Sequence, residues 1–286
     1  NWSMKRLTKS VRLYERKQNS INLRRTTMVI TQRCTLKCKL CLAFMPYYEN
    51  PVDMTLSDVE KTLKSYFDIV DHVGIFSVTG GEPLMHKDIA KIMEMVFSYR
   101  NQIEDTIDMV TNGTIPIGED LLQVLQDNKD KARIIVSNYG KDLSKNIDKV
   151  IKALEEWGIN YRVQNYAGDD NWLFDGWVDF SDHSLKHDTP EKLRQQALRC
   201  IFRRGHYYVI NDGELHPCSR SYWRMRTGVI PKNKEQYIDL LHANEEETEE
   251  LKERLKSIEN LEALNSCAYC NGVYNGIKRY KPAEQL

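Results

Sequence analysis

Cys34-Thr-Leu-Lys-Cys38-Lys-Leu-Cys41 puts three thiols on one short stretch of chain. Three thiolates do not complete the four-ligand shell of a structural zinc site, and no fourth ligand stands nearby. A 4Fe-4S cluster held by three thiolates keeps one iron open to a substrate or cofactor, and that is the chemistry the triplet points to. The competing explanation, three hydrophobic cysteines bunched by chance, is disfavoured by their density and the polar residues between them. Further on comes Thr79-Gly80-Gly81-Glu82-Pro83-Leu84, with His86 beyond. Paired glycines let a backbone approach a ligand closely, and free amides and carbonyls at a strand end can hold an amino group. Alone, this segment reads equally well as a turn.

The other four cysteines, Cys200, Cys218 and Cys267-Ala-Tyr-Cys270, form a complete four-thiolate set from two segments. By spacing, structural zinc and a fully ligated iron-sulfur cluster both fit. All seven cysteines are thereby assigned, and an odd number in a reducing compartment speaks against a disulfide framework. Six arginines, Arg199, Arg203, Arg204, Arg220, Arg224 and Arg226, stand in this region against Asp212 and Glu214. They either balance an anionic cluster or recognise phosphate or carboxylate; under the second reading Arg203, Arg204 and Arg220 are the candidate substrate contacts. Trp172, Trp177, Tyr222 and Trp223 could stack on a sugar or base, although packing is the simpler role. His86 and His216 could relay a proton, but structural hydrogen bonding is the plainer reading.

These residues need elements to hold them. Short β-branched runs at 27–31, 73–78, 107–111, 133–137 and 160–164 alternate with helical periodicity at 56–70, 88–99, 119–126 and 143–157. Ser57 and Glu60 have capping-box spacing at the first helix. The alternation predicts an α/β fold with a parallel sheet, closed or partly closed, and a site at the C-terminal ends of its strands. The expected organisation is a basic N-terminal extension over 1–25, a core over 26–166, an irregular connection over 167–189 and a second unit over 190–286. Residues 5–25 hold eight basic side chains and one acid, Glu15, most simply a solvated helix. The second unit opens with a helix to about 199. A hairpin around Asp212-Gly213 and a charged helix over 245–259 follow.

With the triplet, Gly80-Gly81-Glu82-Pro83, Thr111-Asn112-Gly113 and Ser137-Asn138 all at strand ends, the sequence resembles the radical SAM superfamily over about residues 25–165. The resemblance implies a partial (β/α)6 barrel whose triplet binds a 4Fe-4S cluster with S-adenosylmethionine on the open iron. Reduction would cleave that cofactor to methionine and a 5'-deoxyadenosyl radical, which abstracts a substrate hydrogen. Gly80, Gly81 and Glu82 carry over as contacts to the methionine amine, and Thr111, Asn112, Ser137 and Arg162 as ribose or carboxylate contacts. Leu40 departs from the aromatic residue common before the third cysteine. Cys200, Cys218, Cys267 and Cys270 resemble the twitch domain, a shortened SPASM extension, which implies an auxiliary 4Fe-4S cluster.

No cysteine is left over as a hydrogen donor, which disfavours thiol-based epimerisation. A two-electron oxidation, alcohol to ketone, of a small polar, anionic sugar or cyclitol is the leading expectation, as in a twitch enzyme that oxidises an aminocyclitol. A phosphorylated or nucleotide-linked substrate would match the arginines. Peptide modification is the second expectation, weakened by the short segment before the first strand. Epimerisation with a non-cysteine donor comes next, and an iron-sulfur or zinc scaffold or electron carrier is the non-enzymatic alternative. The expected reductant is a flavodoxin or ferredoxin.

Forty-one basic residues balance forty-one acids in 286, which removes the electrostatic case for a nucleic-acid binder. No run approaches the roughly 18 apolar residues of a membrane span and no signal-peptide core is present, so a cytoplasmic protein without a membrane partner is expected.

Overall fold

A computed structural model describes residues 20–244 and 247–286. Eight strands form one sheet in the order β5-β4-β3-β2-β1-β6-β7-β8. They are β1 (Asn22–Val29), β2 (His72–Thr79), β3 (Ile103–Thr111), β4 (Ala132–Asn138), β5 (Tyr161–Asn165), β6 (Tyr207–Asn211), β7 (Glu214–His216) and β8 (Ile238–Asp239). The first six are joined by parallel pairings, while β7 and β8 pair antiparallel. Helices α1 (Leu56–Ile69), α2 (Ile89–Ser98), α3 (Glu119–Asp127) and α4 (Ile147–Glu156) are the crossovers of the first five strands. The mixed α/β fold with a parallel sheet is the expected one. The apolar faces of these helices pack on the strands in a single core that includes Tyr66, Phe76, Ile92, Leu125 and Val150.

The first strand starts five residues earlier than the β-branched run suggests. Arg25 hides it: a charged residue there reads as part of the solvated basic segment, yet its guanidinium reaches Ser77 at 2.9 Å and Asp108 at 3.4 Å. Arg133 meets the same buried Asp108 at 2.8 Å. The α1 cap also moves, because Thr55 rather than Ser57 accepts the amide, that of Asp58 at 3.1 Å. The solvated helix expected over 5–25 lies outside the described residues as far as residue 19; beyond it the chain enters β1.

The hairpin expected in the second unit extends the main sheet. Its first strand, β6, lies parallel beside β1, with Arg25 opposite Tyr207 and Val29 opposite Asn211. Asp212 and Gly213 turn with φ of 49° and 75°, the left-handed pair a tight hairpin requires. A Cβ on Gly213 would stand 2.4 Å from that of Leu241. The remaining helices are α5 (Pro190–Arg199), α6 (Ile201–Arg204), α7 (Ser219–Arg226) and α8 (Thr248–Glu259). Charged α8 still buries Leu251, Leu255 and Ile258 on one side. Among the described residues no helix is long and apolar enough to cross a membrane.

Candidate cluster and substrate site

The site lies on the loops that follow β1 to β5. Leaving β1, the chain runs through Thr31 and Arg33 into the cysteine loop, and the loop after β2 is fastened alongside. Gly81 N–H donates to Thr31 O and Glu82 N–H to Arg33 O, each at 2.9 Å. A Cβ on Gly80 would lie 2.7 Å from Thr31 O; one on Gly81 would lie 2.4 Å from Arg33 O and 2.6 Å from Cys34 Cβ. The glycines therefore let two loops touch, besides exposing backbone to the cavity. Glu82 faces away, fully buried. Its carboxylate accepts Asn112 N–H at 2.7 Å, Thr111 Oγ1–H at 2.9 Å and Leu84 N–H at 3.1 Å. Burial pushes its pKa up to about 7 against the pull of those donors.

A cavity of about 410 Å³ opens here. It brings together Cys34, Cys38, Cys41, Gly80, Gly81, Asn112 and Ser137. Glu82 and Thr111 are not on its wall; they tie the ends of β2 and β3 together behind it. Arg162 is exposed and off the wall, and Gln164, two residues further along the same face of β5, lines the cavity instead. The position two residues on, nearer the strand's C-terminal end, was the signal for Gln164. Sequence reasoning also missed Tyr139, Tyr166 and Arg279, which line the wall. Of the aromatic candidates, Trp177 lines it edge-on to Tyr139 and Tyr166. Trp223 stacks on His183 and Tyr222 meets Gln32 instead. His86 is held by Met54 O and the Asp88 amide, a structural role.

The residues fit a cluster. Each sulfur of the triplet faces N–H donors: Leu36 N and the Asn112 amide for Cys34 at 3.4 and 3.6 Å, and the Gln285 amide for Cys38 at 3.3 Å. Burial raises Cys41, and the backbone amides of Met45, Ala43 and Phe44 offset part of that. Burial likewise pushes Cys34 up to about 11 and Cys38 up to about 12. Proton loss at these thiols therefore depends on a cationic centre taking the sulfurs.

Cys200 ends α5, Cys218 caps α7, and Cys267 and Cys270 flank a single turn. Arg220 and Arg224, 1% and 0% exposed, enter the same space from α7. Arg224 donates to Ser266 O and Oγ, both at 2.9 Å. Burial works to lower the Arg220 pKa, and the sulfurs of Cys218, Cys270 and Cys200 raise it by more. Cys270 feels burial first, yet Arg220 and Arg224 carry it below its usual value. Among the described residues no three His, Cys, Asp or Glu side chains are grouped to hold a single metal ion.

The three arginines proposed for substrate lie elsewhere. Arg220 is sealed between Phe180 and Phe202, 4.4 and 4.8 Å from their ring centroids. Arg203 donates to Leu261 O at 2.8 Å, Arg204 is exposed, and none of the three lines the cavity. The charges Arg220 faces are the sulfurs of Cys218, Cys270 and Cys200.

The profile of the Radical SAM superfamily matches residues 28–161. GTP 3',8-cyclase from Sulfurimonas denitrificans is 30% identical over 225 residues, 70% of this chain and 68% of that one. The enzyme of that name from Campylobacter jejuni subsp. jejuni is 32% identical over 186 residues, 65% of this chain but 48% of its own length. Among solved structures, BtrN in complex with AdoMet and 2-DOIA superposes with a TM-score of 0.50 at 16% identity, over 92% of this chain and 98% of that one. Native anSMEcpe with bound AdoMet gives 0.50 at 12% identity, over 82% and 83%. These structures share the fold. The cysteine triplet, the strand-end loops around it and these matches agree: the chain belongs to the radical SAM superfamily, which works with S-adenosylmethionine and a 4Fe-4S cluster.

Proposed function

We propose that this chain is a radical SAM oxidoreductase that removes a hydrogen atom, a proton and an electron from one substrate bound in the cavity. The electron would pass to an auxiliary 4Fe-4S cluster on Cys200, Cys218, Cys267 and Cys270. One observation carries the reading: Phe180 and Phe202 form cavity wall on one side and sandwich Arg220 on the other, directly against the second cysteine set. An electron leaving the cavity has the two phenyl rings and the Arg220 side chain to cross.

When bound and reduced, the cofactor pair supplies a carbon radical that abstracts hydrogen. In an alcohol the C–H bond breaks, the hydroxyl proton leaves, and a carbon–oxygen double bond forms as the electron departs. The chain's part is to hold the three sulfurs with N–H donors, to present Gly80, Gly81, Asn112 and Ser137 to the cofactor, and to keep water out. Leu36, Leu40, Leu42, Met45, Val178 and Ile201 do the last. A flavodoxin or ferredoxin is the proposed reductant.

The same wall speaks to the substrate. Among the described residues Arg279 is the single cationic side chain lining it. That supports a substrate with an apolar body and one anionic group over a phosphorylated sugar or a nucleoside triphosphate. GTP cyclisation, suggested by the names of the relatives, would need more cations than the described residues place here. Peptide modification gains from the rim, where Leu42, Phe174 and Ile201 are 41%, 65% and 38% exposed. The test is formation of 5'-deoxyadenosine by the reduced, reconstituted protein with GTP, with a sugar phosphate, and with short serine-containing peptides carrying one apolar side chain beside a carboxylate, the serine hydroxyl supplying the alcohol to be oxidised. Stimulation by the peptides alone is expected, with a product two hydrogens lighter. Stimulation by GTP with a cyclised product overturns the reading.

A further inference from the structure

The last four residues, Ala283 to Leu286, lie along the cysteine loop through a single antiparallel bridge. Lys39 N–H donates to Glu284 O at 2.7 Å and Leu286 N–H to Lys37 O at 2.9 Å, so that Cys38 pairs antiparallel with Gln285. Ala283 is buried against Leu36 and Cys38. The segment arrives from the second cysteine set: Val273 and Arg279 line the cavity, and Tyr280 pairs with Trp177, on the way from Cys270.

The Gln285 amide has a defined orientation. Its Oε1 accepts Lys37 N–H at 2.8 Å, and its Nε2 donates to Ala283 O at 2.7 Å and to Cys38 Sγ at 3.3 Å. Turning the amide over would set oxygen against oxygen and sulfur, and N–H against N–H. Three partners thus agree that an N–H points at the sulfur.

We propose that Gln285 is a positioning residue of the first cluster: it fixes the Cys38 side chain and, by donating to its sulfur, raises the potential at which that cluster accepts an electron. A thiolate accepts such a bond more strongly than a thiol, and the reduced cluster, one charge more negative, more strongly still. The bond therefore favours the reduced form. This inference rests on the triplet holding its cluster, and stands whatever the substrate proves to be.

The holoenzyme is titrated potentiometrically and followed by EPR, reading the signal that changes when S-adenosylmethionine is added, since that signal belongs to the cluster with the open iron. Gln285→Met removes the donor without adding charge; Gln285→Glu also removes it while leaving an acceptor for Lys37. Both variants keep the backbone pairing. A lower midpoint potential is expected in both, lower in Gln285→Glu, with any second signal unmoved and iron held against chelator on the order of 10- to 100-fold less tightly. An unchanged midpoint in Gln285→Met overturns the proposal, even if iron is lost faster, because a purely structural clasp would do that. Equal shifts of both signals overturn it as well.

Discussion

Glu82 shows how a residue expected at the cofactor serves the frame that holds it. Its carboxyl titrates near 7 in the folded chain against 4.5 ordinarily. Between those values the folded state keeps a proton that the unfolded state has shed, so this group makes stability fall as pH rises. In metal-free protein Glu82→Gln should therefore lack about 1 to 3 kcal/mol of the parent's loss between pH 4.5 and 7, read as urea midpoints at each pH. The same pH slope in variant and parent would contradict the assignment. Gly81→Ala is the second residue-scale prediction: a Cβ 2.4 Å from Arg33 O forces the two loops apart. We expect iron bound after reconstitution to fall by half or more while circular dichroism stays unchanged; full iron loading would argue against the contact. Gly80, Gly81 and the triplet were legible because their types and spacing are chemical statements. The direction Glu82 faces was not, because it depends on the Thr111 hydroxyl and the Asn112 amide at the end of β3, about thirty residues away.

At the scale of elements, the alternation of β-branched runs and amphipathic helices places β2, β4 and β5 to within about a residue and β3 four residues short, since β2 to β4 are largely packed and their apolar runs show it. Two features could not be read locally, for one reason. Arg25 reads as part of the basic N-terminal segment because its partner, Asp108, comes from β3. The hairpin looked like a separate unit because pairing of β6 with β1 spans about 180 residues and leaves no local trace. That pairing carries a prediction. A chain ending at residue 166 would expose the β1 edge along five paired positions, and unpaired strand edges aggregate. Such a fragment should be insoluble or melt without a cooperative transition. A soluble fragment with the parent's melting profile would mean that β6 contributes little.

For the whole molecule, the arrangement is two cysteine sets separated by one cavity, with a strap from the second set returning to the first. The sets themselves could be read from spacing. The apolar wall between them could not, because it is assembled from side chains on several separate segments, nor could the burial of Arg220 and Arg224, whose charge fitted a cluster counter-ion and a phosphate or carboxylate contact equally well. The account stands or falls on both sets carrying clusters. The most direct measurement is iron and acid-labile sulfide per chain after anaerobic reconstitution, for the parent and for a variant with Cys34, Cys38 and Cys41 all replaced by Ala. The account predicts about eight irons in the parent and about four in the variant. About four and none would leave the second set without a cluster and contradict the proposed electron path.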